Sequence, residues 1–222
     1  MSSDLHKIRL IMDLRRGGIT DTKILSAMEV IPRDRFVPAA MRDRAYENTA
    51  LPIDFDQTIS QPIVVARMAM ALELTERKKV LEVGTGSGYN AAVLSRLARR
   101  VYTIERYRKM VTQAEAIFAE LGLHNITAIL GDGMQGWLPQ APFDRISVTA
   151  AADEPPPALV DQLAEGGIMV MPVGGEHRVQ TLMRYRKTES RIVAEPLEEV
   201  RFVPLIAGIA EDANGSARAR NG

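Results

Sequence analysis

Val80-Leu81-Glu82-Val83-Gly84-Thr85-Gly86-Ser87-Gly88 is a short aliphatic run that ends in three glycines at alternate positions, and an apolar, helix-compatible stretch follows from Tyr89 to Leu97. A buried strand feeding a glycine turn and then a helix is how α/β proteins hold a nucleotide-like ligand at the carboxyl end of a strand. Glycine admits positive φ and puts no Cβ between the main chain and a ligand. The dinucleotide pattern G-x-G-x-x-G sets a helix N-terminus against a pyrophosphate. Here the third glycine comes one residue early, and Tyr89 stands where that pattern has glycine. The acidic Glu82, two residues before Gly84, suits a ligand with a cationic group better than one with phosphates.

Outward from this turn the chain alternates strands with helices. Strands are expected at Val80–Val83, Val101–Ile104, Ile126–Leu130, Arg145–Thr149 and Ile168–Val173, with helices at Tyr89–Leu97, Met110–Leu121 and Pro157–Ala164 between them. That alternation predicts an α/β fold with a doubly wound, mostly parallel sheet covered on both faces. After Gly174-Gly175 the pattern turns strand-like, at Val179–Arg186, Arg191–Pro196 and Val200–Ile206, which predicts antiparallel C-terminal strands. Before the core, Leu5, Ile8, Ile11 and Met12 fall at helical spacing, and Gly17-Gly18 ends that helix. Thr20 or Asp21 can cap a second helix, Thr22–Glu29; a short helix is expected over 39–46 and a longer one from Ile63 to Leu74. Residues 48–62 read as irregular. The expected organisation is one domain over 1–210, with a helical cap (1–78), a cofactor-binding core (79–175) and C-terminal strands (176–210), then a disordered tail over 211–222.

Composition narrows the function classes. Lys+Arg and Asp+Glu are both 28, so the net charge is zero, and no basic run is present to bind nucleic acid by bulk charge. Cysteine is absent, which removes disulfides, thiolate metal sites and cysteine nucleophiles. His6, His124 and His177 are scattered without metal-ligand spacing, so no metal is expected and they read as surface or packing residues. No uncharged apolar run approaches the roughly 20 residues of a membrane span. A cytoplasmic monomer is the expectation.

Two further loops extend the glycine turn into a site. Glu105 closes the second core strand 21 residues after Gly84, where an acid can accept from both hydroxyls of a ribose; otherwise it caps the next helix. Gly131-Asp132-Gly133 follows the third strand, where Asp132 can accept from an adenine amine; by itself the segment is an ordinary turn. Loops at the ends of three successive strands converge on one crevice. They describe an adenosine with a non-phosphate tail, and S-adenosyl-L-methionine fits, with adenine near Asp132, ribose near Glu105 and the methionine moiety at Gly84–Gly88.

The residues also carry a resemblance. Leu81–Tyr89 resembles motif I of the class I methyltransferases, whose Rossmann-like fold it implies. Gln57-Thr58-Ile59-Ser60-Gln61-Pro62 is similar to the segment that distinguishes the protein-L-isoaspartate(D-aspartate) O-methyltransferases, and Val200-Arg201-Phe202-Val203-Pro204-Leu205 matches that family's ending. Agreement continues through Glu47–Ile53, Gly131–Gly133, Ala141–Asp144, Leu163–Gly167 and Pro172–Gly174, over roughly residues 5–208. The resemblance implies transfer of a methyl group from S-adenosyl-L-methionine to the free α-carboxyl of L-isoaspartyl (and D-aspartyl) residues in damaged peptides and proteins. The ester then collapses to a succinimide that hydrolyses partly to aspartate. The family's active-site serine falls on Ser60. Its cofactor contacts carry over to Thr58, Ile59 and Ser60, to Glu82, Gly84, Thr85, Gly86 and Gly88, to Glu105 and Arg106, and to Asp132 with Gly133. Ile63 departs from the aromatic or histidine that many relatives have after the proline.

A carboxylate acceptor is already ionised at neutral pH, so its methylation needs no general base, and a catalytic His or Asp is not expected. Ser60 would orient the acceptor; its alternative role is an N-cap for the helix after Pro62. Other readings stay open on sequence alone: a methyltransferase of nucleic acid or a small amine, a dinucleotide oxidoreductase, or a binding module without catalysis. The first is disfavoured by Thr149-Ala150-Ala151-Ala152, which is not the Asn/Asp-Pro-Pro-aromatic segment of base-amine methyltransferases. Asn214-Gly215 and Asn221-Gly222 would deamidate readily in a flexible tail, making aged enzyme its own substrate.

Overall fold

The computed structural model describes residues 3–175, 178–189 and 191–211, so His177 and the 212–222 stretch of the expected tail lie outside the described residues. Seven strands form the main sheet: β3 (Lys79–Val83), β4 (Arg100–Glu105), β5 (Ile126–Leu130), β6 (Phe143–Val148), β7 (Leu163–Val173), β8 (Gln180–Thr188) and β9 (Arg191–Val200). A small antiparallel ribbon, β1 (Leu51–Pro52) with β2 (Thr58–Ile59), precedes them. The order in the sheet is β5-β4-β3-β6-β7-β8-β9. The first five of these are parallel, and β8 and β9 add on antiparallel. The chain leaves β3 towards β4 and returns on its other side as β6. That reversal opens a crevice at the carboxyl ends of β3 and β6.

Both faces of the sheet are apolar because its strands are covered on both sides. Along β7, Ile168 and Val170 point to one core and Met169 and Met171 to the other. The first core holds the helices α1 (Ser3–Arg16), α2 (Thr22–Val30), α3 (Pro62–Ala71) and α4 (Tyr89–Ser95), with Ala114 and Phe118 of α5 (Arg108–Glu120). The second receives Leu159 of α6 (Pro157–Asp161). Asp21, not Thr20, caps α2, accepting from the backbone N–H of Lys23 at 2.8 Å and of Ile24 at 3.2 Å.

Several expectations are corrected. In α1 the buried stripe is Leu10 and Leu14, while Leu5, Ile8 and Met12 stay exposed. The helix carries two apolar stripes, and periodicity alone does not choose between them. Residues 39–44 form a 3-10 helix. Helix α6 stops at Asp161, and Leu163 already pairs with Phe143, making β7 longer than the sequence suggested. The strand expected at 191–196 instead runs on through Pro196 to Val200 as β9, and the strand expected at 200–206 does not form. An edge strand tolerates proline because one side of its ladder is unused. A register shift opposite Leu182 and Met183 absorbs Leu197 as an extra residue. Beyond Val200 the chain leaves the sheet. The Gln180 amide brackets Phe202, accepting from its N–H at 2.8 Å and donating to its carbonyl at 3.3 Å. The segment then crosses the end of the sheet, held by Ala151 N–H on the Val203 carbonyl (2.8 Å) and Leu205 N–H on the Ala151 carbonyl (2.7 Å).

Gly88 ends the glycine turn at φ +89°, and a Cβ there would lie 2.9 Å from the Phe118 ring and 3.1 Å from the Ala114 methyl. Gly88→Ala is expected to cost about 2–4 kcal/mol from the left-handed conformation and the overpacking together. Gly18 has a similar φ of +92° with nothing within 4 Å, so Gly18→Ala should lose only the backbone part. Urea denaturation of both variants checks this; equal losses count against packing at Gly88.

Candidate functional site

The glycine turn at the end of β3 floors a cavity of about 850 Å³, open mouth included. Thr58, Ile59, Ser60, Gly84, Thr85, Gly86, Glu105, Arg106 and Gly133 all line it. The main chain comes close because side chains are missing where they would collide. A Cβ on Gly84 would stand 2.4 Å from the Thr149 hydroxyl, and one on Gly133 would stand 2.4 Å from a Val83 methyl. The Thr149 hydroxyl donates to the carbonyls of Val83 (3.0 Å) and Gly84 (2.7 Å), tying the turn to the end of β6.

Glu105 fixes the turn from the other side. Its Oε2 accepts from the Gly86 N–H at 2.9 Å, and its Oε1 from the N–H groups of Arg106 (2.8 Å) and Tyr107 (3.1 Å). The carboxylate thus holds the glycine turn and the start of α5 together, and still edges the cavity. The helix-capping and ligand-facing readings of Glu105 are compatible in this geometry.

Glu82 lies elsewhere. It is fully buried on the α4 face of β3, outside the cavity lining. It meets the Thr103 hydroxyl through Oε2, and its Oε1 accepts from the Asn90 amide at 2.7 Å. Thr103 and Thr85 share a hydrogen bond of 2.6 Å, which links this buried acid to the turn. Burial pushes the Glu82 carboxyl up to about 8 against the pull of those two hydrogen bonds, so it is a neutral acid at neutral pH. It supports the turn from below through Asn90 and Thr85, both of which line the cavity. Asp132 is also outside the lining; its carboxylate accepts from the Met134 N–H at 2.9 Å and caps a 3-10 turn over 133–135. Gly88 sits beneath the turn, buried, as the first residue before α4.

Ser60 follows β2 and is half-buried, and its hydroxyl makes no hydrogen bond among the described residues. The capping role that sequence left open to it is filled from outside the segment. Asn48 Oδ1 accepts from the Ile63 N–H at 3.0 Å, in the first turn of α3, and the Asn48 carbonyl accepts from the Gln61 amide at 2.7 Å. Ser60 also borders a second groove with Thr58, Gln61, Val64, Glu199 and Arg201, so it stands at the junction of the two hollows. Below it lies Arg33, fully buried, whose Nη2 donates to the Ser60 carbonyl at 2.8 Å and whose Nε donates to the Ala45 carbonyl at 2.9 Å. Ile63 borders neither hollow; its Cδ1 occupies the space that a Cβ on Gly17 would need.

Sequence reasoning missed Asn48, Arg33, Tyr89 and Asn90. It also took the 203–206 segment for a strand, whereas Val203, Pro204, Leu205 and Ile206 wall the cavity. The signal in that segment was Pro204, which a central strand excludes. Among the described residues no group of His, Asp and Glu is placed to hold a metal ion, and no helix is long and apolar enough to cross a membrane.

A doubly wound sheet with a glycine turn at its switch point and an acid at the end of the next strand is the architecture of a class I methyltransferase-type protein. The chain belongs to the protein-L-isoaspartate(D-aspartate) O-methyltransferase family, whose sequence profile matches residues 5–210. It is 57% identical over 220 residues to the protein-L-isoaspartate O-methyltransferase of Rhodospirillum centenum, covering 99% of this chain and all of that one. It is 58% identical over 206 residues to that of Paramagnetospirillum magneticum, covering 92% of this chain and 96% of that one. Among solved structures, a protein-L-isoaspartate O-methyltransferase superposes with a TM-score of 0.83 at 30% identity, over 91% of this chain and 67% of that one. A Plasmodium falciparum relative, solved in complex with S-adenosyl-L-homocysteine, superposes with a TM-score of 0.77 at 26% identity over 90% of this chain and 98% of that one.

Folded Glu82 keeps its proton to about pH 8, whereas the unfolded side chain loses it near 4.5, so the folded state binds the extra proton in that interval. Stability from this group therefore falls as pH rises through the interval. Glu82→Gln removes the titration while keeping an amide to bond Asn90 and Thr103. The variant's denaturation midpoint should gain on the wild type as pH is raised from about 4.5 to about 8. A constant difference across that range rules the buried titration out.

Proposed function

We propose that this protein is a repair methyltransferase that transfers the methyl group of S-adenosyl-L-methionine to the free α-carboxyl of L-isoaspartyl, and D-aspartyl, residues in damaged peptides and proteins. The observation that carries the reading is the position of Ser60, which borders the cofactor cavity and a second groove with its hydroxyl uncommitted. When bound, the cofactor supplies a methyl group on a cationic sulfur. The chain's task is to place a carboxylate oxygen against that methyl and keep water out. Placement of this kind accounts for roughly 7–11 kcal/mol of barrier in well-oriented systems.

The cavity fits such a cofactor. Glu105 offers carboxylate oxygens at the edge for a ribose, beside the apolar walls of Ile104, Leu205 and Ile206. Gly84 and Gly86 leave bare backbone on either side of Thr85 where the methionine part would lie. Gly133 gives close approach beside β3 for the base, with Asp132 shaping the loop behind it. Thr58, Ile59 and Arg106 complete the enclosure. Glu82 serves the same site from behind through Asn90 and Thr85. In the second groove an extended peptide would pass Gln61, Glu199 and Arg201 and present its carboxylate to Ser60. The carboxylate is ionised at neutral pH, so Ser60 acts as a hydrogen-bond donor that orients it and moves no proton. We place the protein in the cytoplasm, acting as a monomer without nucleic acid.

The assay is radiolabelled methyl transfer to an isoaspartyl peptide with its aspartyl twin as control. Base-labile label on the isoaspartyl peptide alone is expected, and its absence sinks the reading. Ser60→Ala should lower kcat/KM by about 10–100-fold, as for a hydrogen bond to a charged group, with S-adenosyl-L-homocysteine affinity retained. Glu105→Ala should weaken S-adenosyl-L-homocysteine by about 1–3 kcal/mol in calorimetry; unchanged affinity would remove Glu105 from the cofactor's contacts.

A further inference from the structure

Arg33 is a buried cation without a partner acid. Its side chain is fully enclosed, and no carboxylate among the described residues lies within ion-pair distance. Two of its three nitrogens are spent on main-chain carbonyls, Nε on Ala45 and Nη2 on Ser60. The guanidinium carbon lies 4.6 Å from the centroid of the Tyr89 ring, which is itself held edge-to-face by Phe36. The third nitrogen, Nη1, is buried with no hydrogen-bond partner, and so is the Tyr89 hydroxyl. Arginine does not give up its proton in such a place. Two carbonyl dipoles and one aromatic face offset part of the burial of a full charge, and a counter-anion offsets much more.

The surroundings indicate where an anion would come from. Ser60 and Tyr89 both line the cofactor cavity, and Ser60 also lines the second groove. The residue whose carbonyl Arg33 holds is therefore the one that faces the proposed acceptor. We propose that Arg33 is a positioning residue for the acceptor carboxylate: it clamps the Ser60 backbone so that the hydroxyl points into the junction of the two hollows, and its uncompensated charge favours an anionic acceptor there. The inference rests on the repair-methyltransferase reading and adds to it the means by which the site tells a carboxylate from its uncharged amide. Lysine would keep the charge but cannot bridge two carbonyls with a planar fork, so clamp and charge are separable.

The test compares wild type, Arg33→Lys and Arg33→Met. In each, S-adenosyl-L-homocysteine affinity is measured by calorimetry, and KM and kcat with an isoaspartyl peptide. Arg33→Met is expected to raise the peptide KM about tenfold or more, as for loss of a charged hydrogen bond, with cofactor affinity within about twofold of wild type on the same scale. Arg33→Lys is expected to recover part of the KM loss. An unchanged peptide KM in Arg33→Met, or a loss confined to cofactor affinity, overturns the proposal. A second measurement covers a Met variant that does not fold. In wild type carrying ¹⁵N-arginine, the Nη resonance absent from Arg33→Lys should shift on adding the isoaspartyl peptide and not its α-carboxamide twin; equal shifts with both also overturn it. Wild type that methylates no isoaspartyl peptide refutes the proposed function itself. Wild-type activity with unaltered variant KM refutes this inference alone.

Discussion

One carboxylate organises the site. Glu105 accepts three backbone N–H groups, from Gly86, Arg106 and Tyr107, and so ties a glycine-rich turn to the start of the helix that follows the next strand. Charge-assisted bonds to backbone donors are stronger than neutral ones. The turn needs them, since its glycines bring the greatest chain entropy to be lost on folding. Thr149 fixes the turn's other flank, and the Thr85–Thr103–Glu82–Asn90 chain supports it from beneath. The cavity is therefore formed by polar contacts at the sheet's end, while the two apolar cores hold the sheet that carries it.

Two buried ionisable groups beside this framework are treated in opposite ways. Glu82 is buried with two donors that favour its carboxylate, yet burial outweighs them and it stays protonated. Arg33 is buried with carbonyls and a π face and stays charged. An acid can discard its charge when water is withdrawn and arginine cannot, so a buried arginine shapes the electrostatics of its neighbours in a way a buried glutamate does not.

How much was legible depended on the range of the interaction. The β3–turn–α4 unit and the alternation of strands and helices are local, and their residues announce them; the cap of α2 was narrowed to Thr20 or Asp21, and the structure selects Asp21. Ser60 was legible through its segment, but its freedom from capping was not, because Asn48 caps the helix from across the ribbon by accepting from the Ile63 N–H. Pro196 and Leu197 misled because edge position and a bulge are properties of a sheet, not of a hexapeptide. The wall at 203–206 was hidden for a similar reason: its apolar alternation is that of a strand, and only the Gln180 bracket and the Ala151 contacts direct it across the sheet end. Arg33 gave no signal in the sequence, since nothing local separates a buried arginine from an exposed one.

Ile63 and Gly17 share one volume. The Ile63 side chain fills the space above Gly17, outside both hollows. A side chain at 17 would require the Ile63 Cδ1 methyl to swing aside. The size of residue 63 therefore bears on how the α1–α2 turn is seated against α3, 46 positions away in the chain, rather than on the lining of either hollow.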